Sequence, residues 1–298
     1  MKNIVLRKNM RGQMVLIIVL ILTIAATVAL ALIGRSTMDV GVTTNIEESQ
    51  RAFHAAESGI EQLLSNSGSA LPLITLSSGA TVVANKQSIG GTNAVYTVPN
   101  GILRGEAGTV FLVSHDDATG ELKEDVNDAL RFKGPTLGVC IDKGYSEPAV
   151  ELIVVYKRLD RLSLDANPPT LPNYQVGRFA YDMKPDRITE NGFTSFSDIG
   201  GTDVGDHCGK SNVYYLPLPI PTDVTILPLM LRIRPYYRDI SVYIDPGADF
   251  VLPQQGDEIT STGDSGTGIL RKIVVKRAYT AADEFMDYSL YTQGAIGH

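Results

Sequence analysis

Residues 13–33 read QMVLIIVLILTIAATVALALI, a run without a single charged side chain. As an α-helix this run is roughly 31 Å long, about the thickness of a bilayer's hydrocarbon core. Its polar side chains are Gln13 at the edge and Thr23 and Thr27, whose hydroxyls can bond back to helix carbonyls. The helical pattern continues beyond the apolar run. Residues 35–64 contain no proline and little glycine, and Ile46, Phe53, Ile60 and Leu63 or Leu64 recur at near-helical steps. That spacing predicts a one-sided apolar stripe, with Glu47, Glu48, Arg51, Glu57 and Glu61 mostly off it. Ser65, Asn66, Ser67 and Gly68 predict the stop. Together the two stretches predict one continuous rod over residues 13–66, with 13–33 in lipid and the rest outside it.

After Gly68 the period shifts toward two. Segments 81–84, 94–98, 109–114, 129–132, 137–141, 149–156, 177–181, 213–216, 226–233, 240–244 and 268–276 predict strands. Leu229, Leu231 and Ile233 alternate with Met230, Arg232 and Arg234, and Ile240, Val242 and Ile244 alternate with Ser241 and Tyr243. Such alternation is expected of half-buried antiparallel strands. Residues 116–120 (DDATG) predict a turn. The proline-rich segments 165–173 (DANPPTLPN) and 216–221 (LPLPIP) predict loops or edge segments, not central strands. Residues 284–291 predict a last strand that packs its aromatics on the body. The fold class expected is α+β: a long N-terminal helix followed by an antiparallel β-rich domain over 67–298, of sandwich or jelly-roll kind.

Charge refines the picture at the N-terminus. Residues 1–12 hold Lys2, Arg7, Lys8 and Arg11 and no acid. Of the 26 basic side chains this leaves 22 for the rest, against 33 acidic ones, so a basic tip precedes an acidic body. An acidic body repels phosphate and argues against nucleic acid as a partner. The basic tip is expected to stay cytoplasmic, which sends the bulk of the chain outward. A cleavable secretory signal fits less well. The apolar run exceeds the usual length, and no Ala-x-Ala-like site follows it. Elsewhere the composition is that of a globular protein with many turns, with 28 Gly, 15 Pro and more Tyr (13) than Phe (8).

Two short stretches carry a family likeness. Residues 11–16 (RGQMVL) and 52–61 (AFHAAESGIE) resemble the N-terminal region of PilX-type minor pilins. The likeness covers about the first 65 residues and rests on Ala52, Phe53, Ala55, Ala56, Glu57 and Gly59. It implies a leader over 1–12, cut after Gly12 by a membrane prepilin peptidase, with Gln13 as the new and often methylated N-terminus. It also implies partnership with other pilin subunits and with an inner-membrane assembly platform. The chain departs from most pilins at Ile17, where a glutamate usually stands to pair with a neighbour's N-terminal amine. A buried carboxylate in lipid is costly without such a partner. Its absence suits a subunit with nothing above it. The expected role is therefore a minor, tip-located structural subunit, single-pass in the cytoplasmic membrane and then at the cell surface, that displays its β-domain to an unknown surface ligand. The alternatives are a major filament subunit, or a membrane-anchored surface adhesin or enzyme unrelated to pili. Gly34 stands near the position of a helix-kinking proline in many pilins.

The body offers little catalytic chemistry, and neither an enzyme nor a cofactor is expected. Residues 263–266 (GDSG) match the tetrapeptide around a serine nucleophile, and His207 precedes Cys208. Only 57 residues separate His207 from Ser265, too few for the two-barrel scaffold of such a protease. Residues 209–211 (GKS) echo the end of a phosphate-binding loop, but the required first glycine falls on Val204. Asp198, Asp203 and Asp206 lie in the glycine-rich segment DIGGTDVGDHCG, a weak calcium candidate without EF-hand spacing. A zinc site would need His207 and Cys208 to meet Cys140. Cys140 and Cys208 are equally compatible with a disulfide and with two separate buried thiols.

Overall fold

The structure is a computed structural model and describes residues 11–65, 68–116, 119–159, 173–221, 223 and 225–281. Most of the basic leader, the helix stop at Asn66 and Ser67, most of the loop expected at 165–173 and the strand expected at 284–291 lie outside the described residues. The layout is α+β: a helix α1 (Arg11–Ser65) precedes thirteen strands among the described residues. They are β1 (Ala70–Thr75), β2 (Thr81–Gly90), β3 (Tyr96–Thr97), β4 (Gly108–Phe111), β5 (Thr136–Asp142), β6 (Ala149–Arg158), β7 (Asn173–Asp182), β8 (Thr194–Ser195), β9 (Val213–Pro219), β10 (Ile226–Tyr236), β11 (Val242–Asp245), β12 (Gln254–Asp264) and β13 (Leu270–Ala278). Two compact units result, one of residues 1–86 with 259–275, the other of 87–258 with 276–298.

In the first unit, the second half of α1 lies on a sheet of order β1-β2-β12-β13. β1 and β2 are antiparallel, Leu71 opposite Ala84 and Ile74 opposite Val82, with a bulge between Leu71 and Ile74. Ala55, Ile60 and Leu63 of the helix share a small core with Leu71, Ala80, Val82, Ala84 and Ile259. Ala80 and Ala84 are small, which lets the helix approach closely. β12 has no counterpart among the expected strands. Its sequence QQGDEITSTGD is polar, and its alternation is visible only in burial, where Gln255, Asp257, Ile259, Ser261 and Gly263 turn inward.

In the second unit, sheets of order β4-β10-β6-β7-β8 and β3-β11-β5-β9 share one core. Val110, Leu152, Val154, Leu231 and Ile233 come from the first sheet, and Leu137, Val139, Ile141, Leu216, Val242 and Ile244 from the second. Pairing is antiparallel throughout these two sheets except for the short parallel contact of β7 with β8. β9 contains Pro217 and Pro219 and sits at the edge of its sheet, where a missing N–H costs no ladder bond on the open side. β10 is central yet holds Pro228 and Pro235. A register shift follows Pro228, and β4 covers only Met230 to Ile233, so neither proline faces it.

The strand expected at 129–132 is instead a turn-rich segment. Leu130 stays exposed there, while Phe132 fills the core from that segment and donates its backbone N–H to Leu112 O at 2.8 Å. Leu130 and Phe132 produced the period-two signal there, but only Phe132 is buried.

Candidate functional site: the exposed half of the N-terminal helix

α1 has two halves with opposite surroundings. Every residue from 14 to 47 is exposed, including the whole apolar run from Met14 to Ile33. α1 is long and apolar enough to cross a membrane. Thr23 donates its hydroxyl to Leu20 O and Thr27 to Ile24 O, each at 2.8 Å, so neither carries an unmet donor into an apolar environment. Such a surface suits lipid or other apolar helices. Ile17 is part of it, and the described part of the run carries no carboxylate. Gly12 and Gln13 lie in the first turn of α1.

Residues 34–47 form a neck between the apolar run and the docked half. All are exposed, and nothing approaches within 4 Å of where a Cβ would stand on Gly34 or Gly41. Thr37, Thr43 and Thr44 bond back to Gly34 O, Asp39 O and Val40 O at 2.9 Å. Glycine, β-branched residues and back-bonding hydroxyls all weaken a helix.

The docked half begins near Glu48. Thr267 donates its hydroxyl to Glu48 Oε2 at 2.9 Å, and Arg271 donates two bonds to Ser49 Oγ at 2.8 and 2.6 Å. The buried positions are then Ala52, Ala55, Ala56, Gly59, Ile60 and Leu63, a helical i, i+3, i+4 series. A Cβ on Gly59 would collide with Ser261 Oγ and lie 2.7 Å from Val82 Cγ2. A Cβ on Gly263, from β12, would collide with Ala52 O and lie 2.6 Å from Ala56 N. Two glycines thus remove the side chains that would hold helix and strand apart.

This arrangement changes the expected stripe. Ile60 and Leu63 are buried, but Ile46 (53% exposed), Phe53 (44%) and Leu64 (42%) are not. The close approach of strand backbone leaves room for alanine and glycine along the contact, and larger side chains flank it. Within the family-like stretch, Ala52, Ala55, Ala56 and Gly59 are the docking face. Phe53 and Glu57 lie off it, and Glu57 Oε2 meets His54 Nδ1 at 2.9 Å on the surface. The signal for the docking face was present as small residues at helical spacing.

The remaining candidates have structural surroundings. Cys140 of β5 and Cys208 are joined in a disulfide with Cα atoms 6.3 Å apart. They cluster with Val213, Tyr215 and Tyr243, and no thiolate is left there for a metal. His207 stacks on Tyr215, centroids 4.4 Å apart, and Lys210 lies over the Tyr243 ring. Asp203 pairs with Lys143 at 3.3 Å. Among the described residues no three His, Cys, Asp or Glu side chains converge as metal ligands, so Asp198, Asp203 and Asp206 are not brought together. GDSG runs from the last two residues of β12 into the turn before β13. Asp264 Oδ1 accepts from Gly266 N at 2.9 Å, and Ser265 Oγ lies 2.8 Å from Thr267 Oγ1. No family model, curated protein or solved structure matches the chain.

Proposed function

We propose that the chain is a minor pilin-like structural subunit, anchored by α1 in the cytoplasmic membrane and later carried at a filament tip. One observation carries this reading. A single unbroken helix is apolar and unpacked through its first half, and docked on a sheet through the small-residue positions of the pilin-like stretch in its second. Such a helix can exchange lipid for the helices of neighbouring subunits without disturbing the body it carries. The β-body, read as a sandwich, is then a display domain. The Cys140–Cys208 disulfide suits an oxidising exterior. With Ile17 in place of an acid, the helix makes no upward pair with a preceding subunit's amine, which favours the first position in the filament over the shaft.

N-terminal analysis of surface-sheared material tests the reading. Gln13 is the expected first residue, and replacing Gly12 with a bulky residue is expected to leave the chain uncut in the membrane. A surface chain that begins at Met1, in cells with an active prepilin peptidase, refutes the pilin reading and leaves the plain anchored adhesin. Immunogold labelling is expected at filament ends. Even labelling along the shaft refutes the tip position.

A further inference from the structure

Among the described edge strands, β13 alone is both long, with nine residues, and free of proline. β1 carries Pro72 and a bulge, β9 carries Pro217 and Pro219, and β3, β4 and β8 have two to four residues. The register of β13 on β12 is fixed along the whole hairpin. Ser265 N donates to Ile269 O at 3.1 Å at one end, and Tyr279 N to Gln255 O at 3.2 Å at the other. Between them Arg277 meets Asp257 at 2.9 Å and Lys276 meets Glu258 at 3.5 Å. In that register Arg271, Ile273 and Val275 bond to β12, while Lys272 and Val274 turn their N–H and C=O groups to the open side. Among the described residues no strand and no backbone hydrogen bond meets them there. The apolar core is open at the same edge. Ile273 and Val275 pack on the cluster beneath α1, yet both stay half-buried.

We propose that residues 270–275 accept an extended acidic segment of a partner protein as a further antiparallel strand of this sheet. Charge selects the partner. Lys276 and Arg277 are matched by Glu258 and Asp257 on β12. Arg271 and Lys272 have no ion pair among the described residues, and Arg271 donates to the neutral Ser49 Oγ. A second copy of β13 fits poorly. Paired in parallel it sets Arg271 beside Arg271, and paired antiparallel it sets Lys272 beside Lys276, and like charges across a ladder are unfavourable. A segment that alternates apolar and acidic residues fits both faces. Its apolar side chains extend the cluster past Ile273 and Val275, and its carboxylates stand beside Lys272 on the outer face. The free N–H and C=O groups of Lys272 and Val274 supply the ladder bonds. Those bonds go to the partner's outward-facing residues, because directly bonded residues of an antiparallel pair share a face. This site lies on the first unit's sheet and stands without the filament reading.

The test uses the full chain in detergent micelles and three capped peptides: TVEVEVT, TVKVKVT, and TVEVEVT with both glutamate backbone nitrogens methylated. The readout is the amide resonances of Lys272 and Val274 and their hydrogen exchange. The acidic peptide is expected to shift both amides saturably and to slow their exchange. The basic peptide is expected to bind more weakly, and the methylated one not to bind. Val274→Pro removes an N–H that β12 does not use, so the fold and melting temperature are expected to persist while binding, read at Lys272, is lost. Lys272 is exposed, and Lys272→Glu is expected to weaken the acidic peptide about twofold to fivefold, the scale of an exposed cross-strand pair. The proposal is overturned if the acidic peptide gives no saturable shift with folded protein. It is equally overturned if the basic or the methylated peptide binds as well as the acidic one. Protection of the same amides that grows with protein concentration alone assigns the edge to a second copy and also overturns it.

Discussion

Replacing Gly263 with alanine puts a methyl group against the backbone of α1. The new Cβ collides with Ala52 O and stands 2.6 Å from Ala56 N and 2.9 Å from Ala55 Cβ. None of these is the end of a flexible side chain, so the helix itself must shift. Forcing atoms into a packed contact costs about 1–3 kcal/mol, and backbone neighbours place this site toward the upper figure. The docked face retains Ile60 and Leu63, whose burial contributes about 1.5–3 kcal/mol each. The variant is therefore expected to loosen the docking without abolishing it. Hydrogen exchange in micelles reads this directly. Amides of residues 52–63 are expected to exchange about five- to a hundredfold faster, since each 1.4 kcal/mol is a factor of ten. Amides of β5 and β11, in the other unit, are expected to keep their protection. Unchanged exchange over 52–63 in folded Gly263→Ala protein refutes the close docking of β12 on the helix.

Other consequences are as concrete. Ser261 Oγ is buried without a hydrogen-bond partner among the described residues, so Ser261→Ala is expected to raise stability by about 1 kcal/mol in denaturant melts, and a clear loss refutes its orphan status. The Cys140–Cys208 bridge closes a separation of 68 residues. By the chain-entropy relation its removal in the double alanine variant is expected to cost about 4 kcal/mol, and a loss near zero counts against that account. Nothing lies near Gly41, so Gly41→Ala is expected to slow exchange across residues 38–45 by stabilising the neck by about 1 kcal/mol. Burial pushes the Tyr96 pKa up to about 12 from 10. The folded state then keeps a proton that the unfolded chain loses, so stability is full below pH 10 and falls between about pH 10 and 12, by roughly 3 kcal/mol. A Tyr96→Phe variant is expected to lose that part of the alkaline slope.

What could be read along the chain was whatever depends on neighbours in sequence. The apolar run at 13–33 and the absence of proline as far as residue 64 are local properties, and α1 follows from them. The alternating residues of β11 likewise place its apolar face without help from distant segments, whereas β10, expected to be half-buried, also buries Arg232 and Arg234 because its sheet is covered on that side too. The prolines of 216–221 restrict β9 to an edge because a missing N–H is a property of the residue itself. The rest belongs to contacts between residues far apart in sequence. β12 carries no apolar pattern, and only its packing on α1, about two hundred residues earlier, gives Ser261 and Gly263 an inward face. The stripe expected through Ile46 and Phe53 moved to Ala52, Ala55, Ala56 and Gly59 because strand backbone, not side chains, lies opposite. Hydrophobic size marks a burying face only when the partner leaves space for it, and here the partner leaves none. The choice between a disulfide and two thiols required Cys140 and Cys208 in one frame. The stacking of His115 on Tyr279 likewise joins segments that no short-range pattern connects.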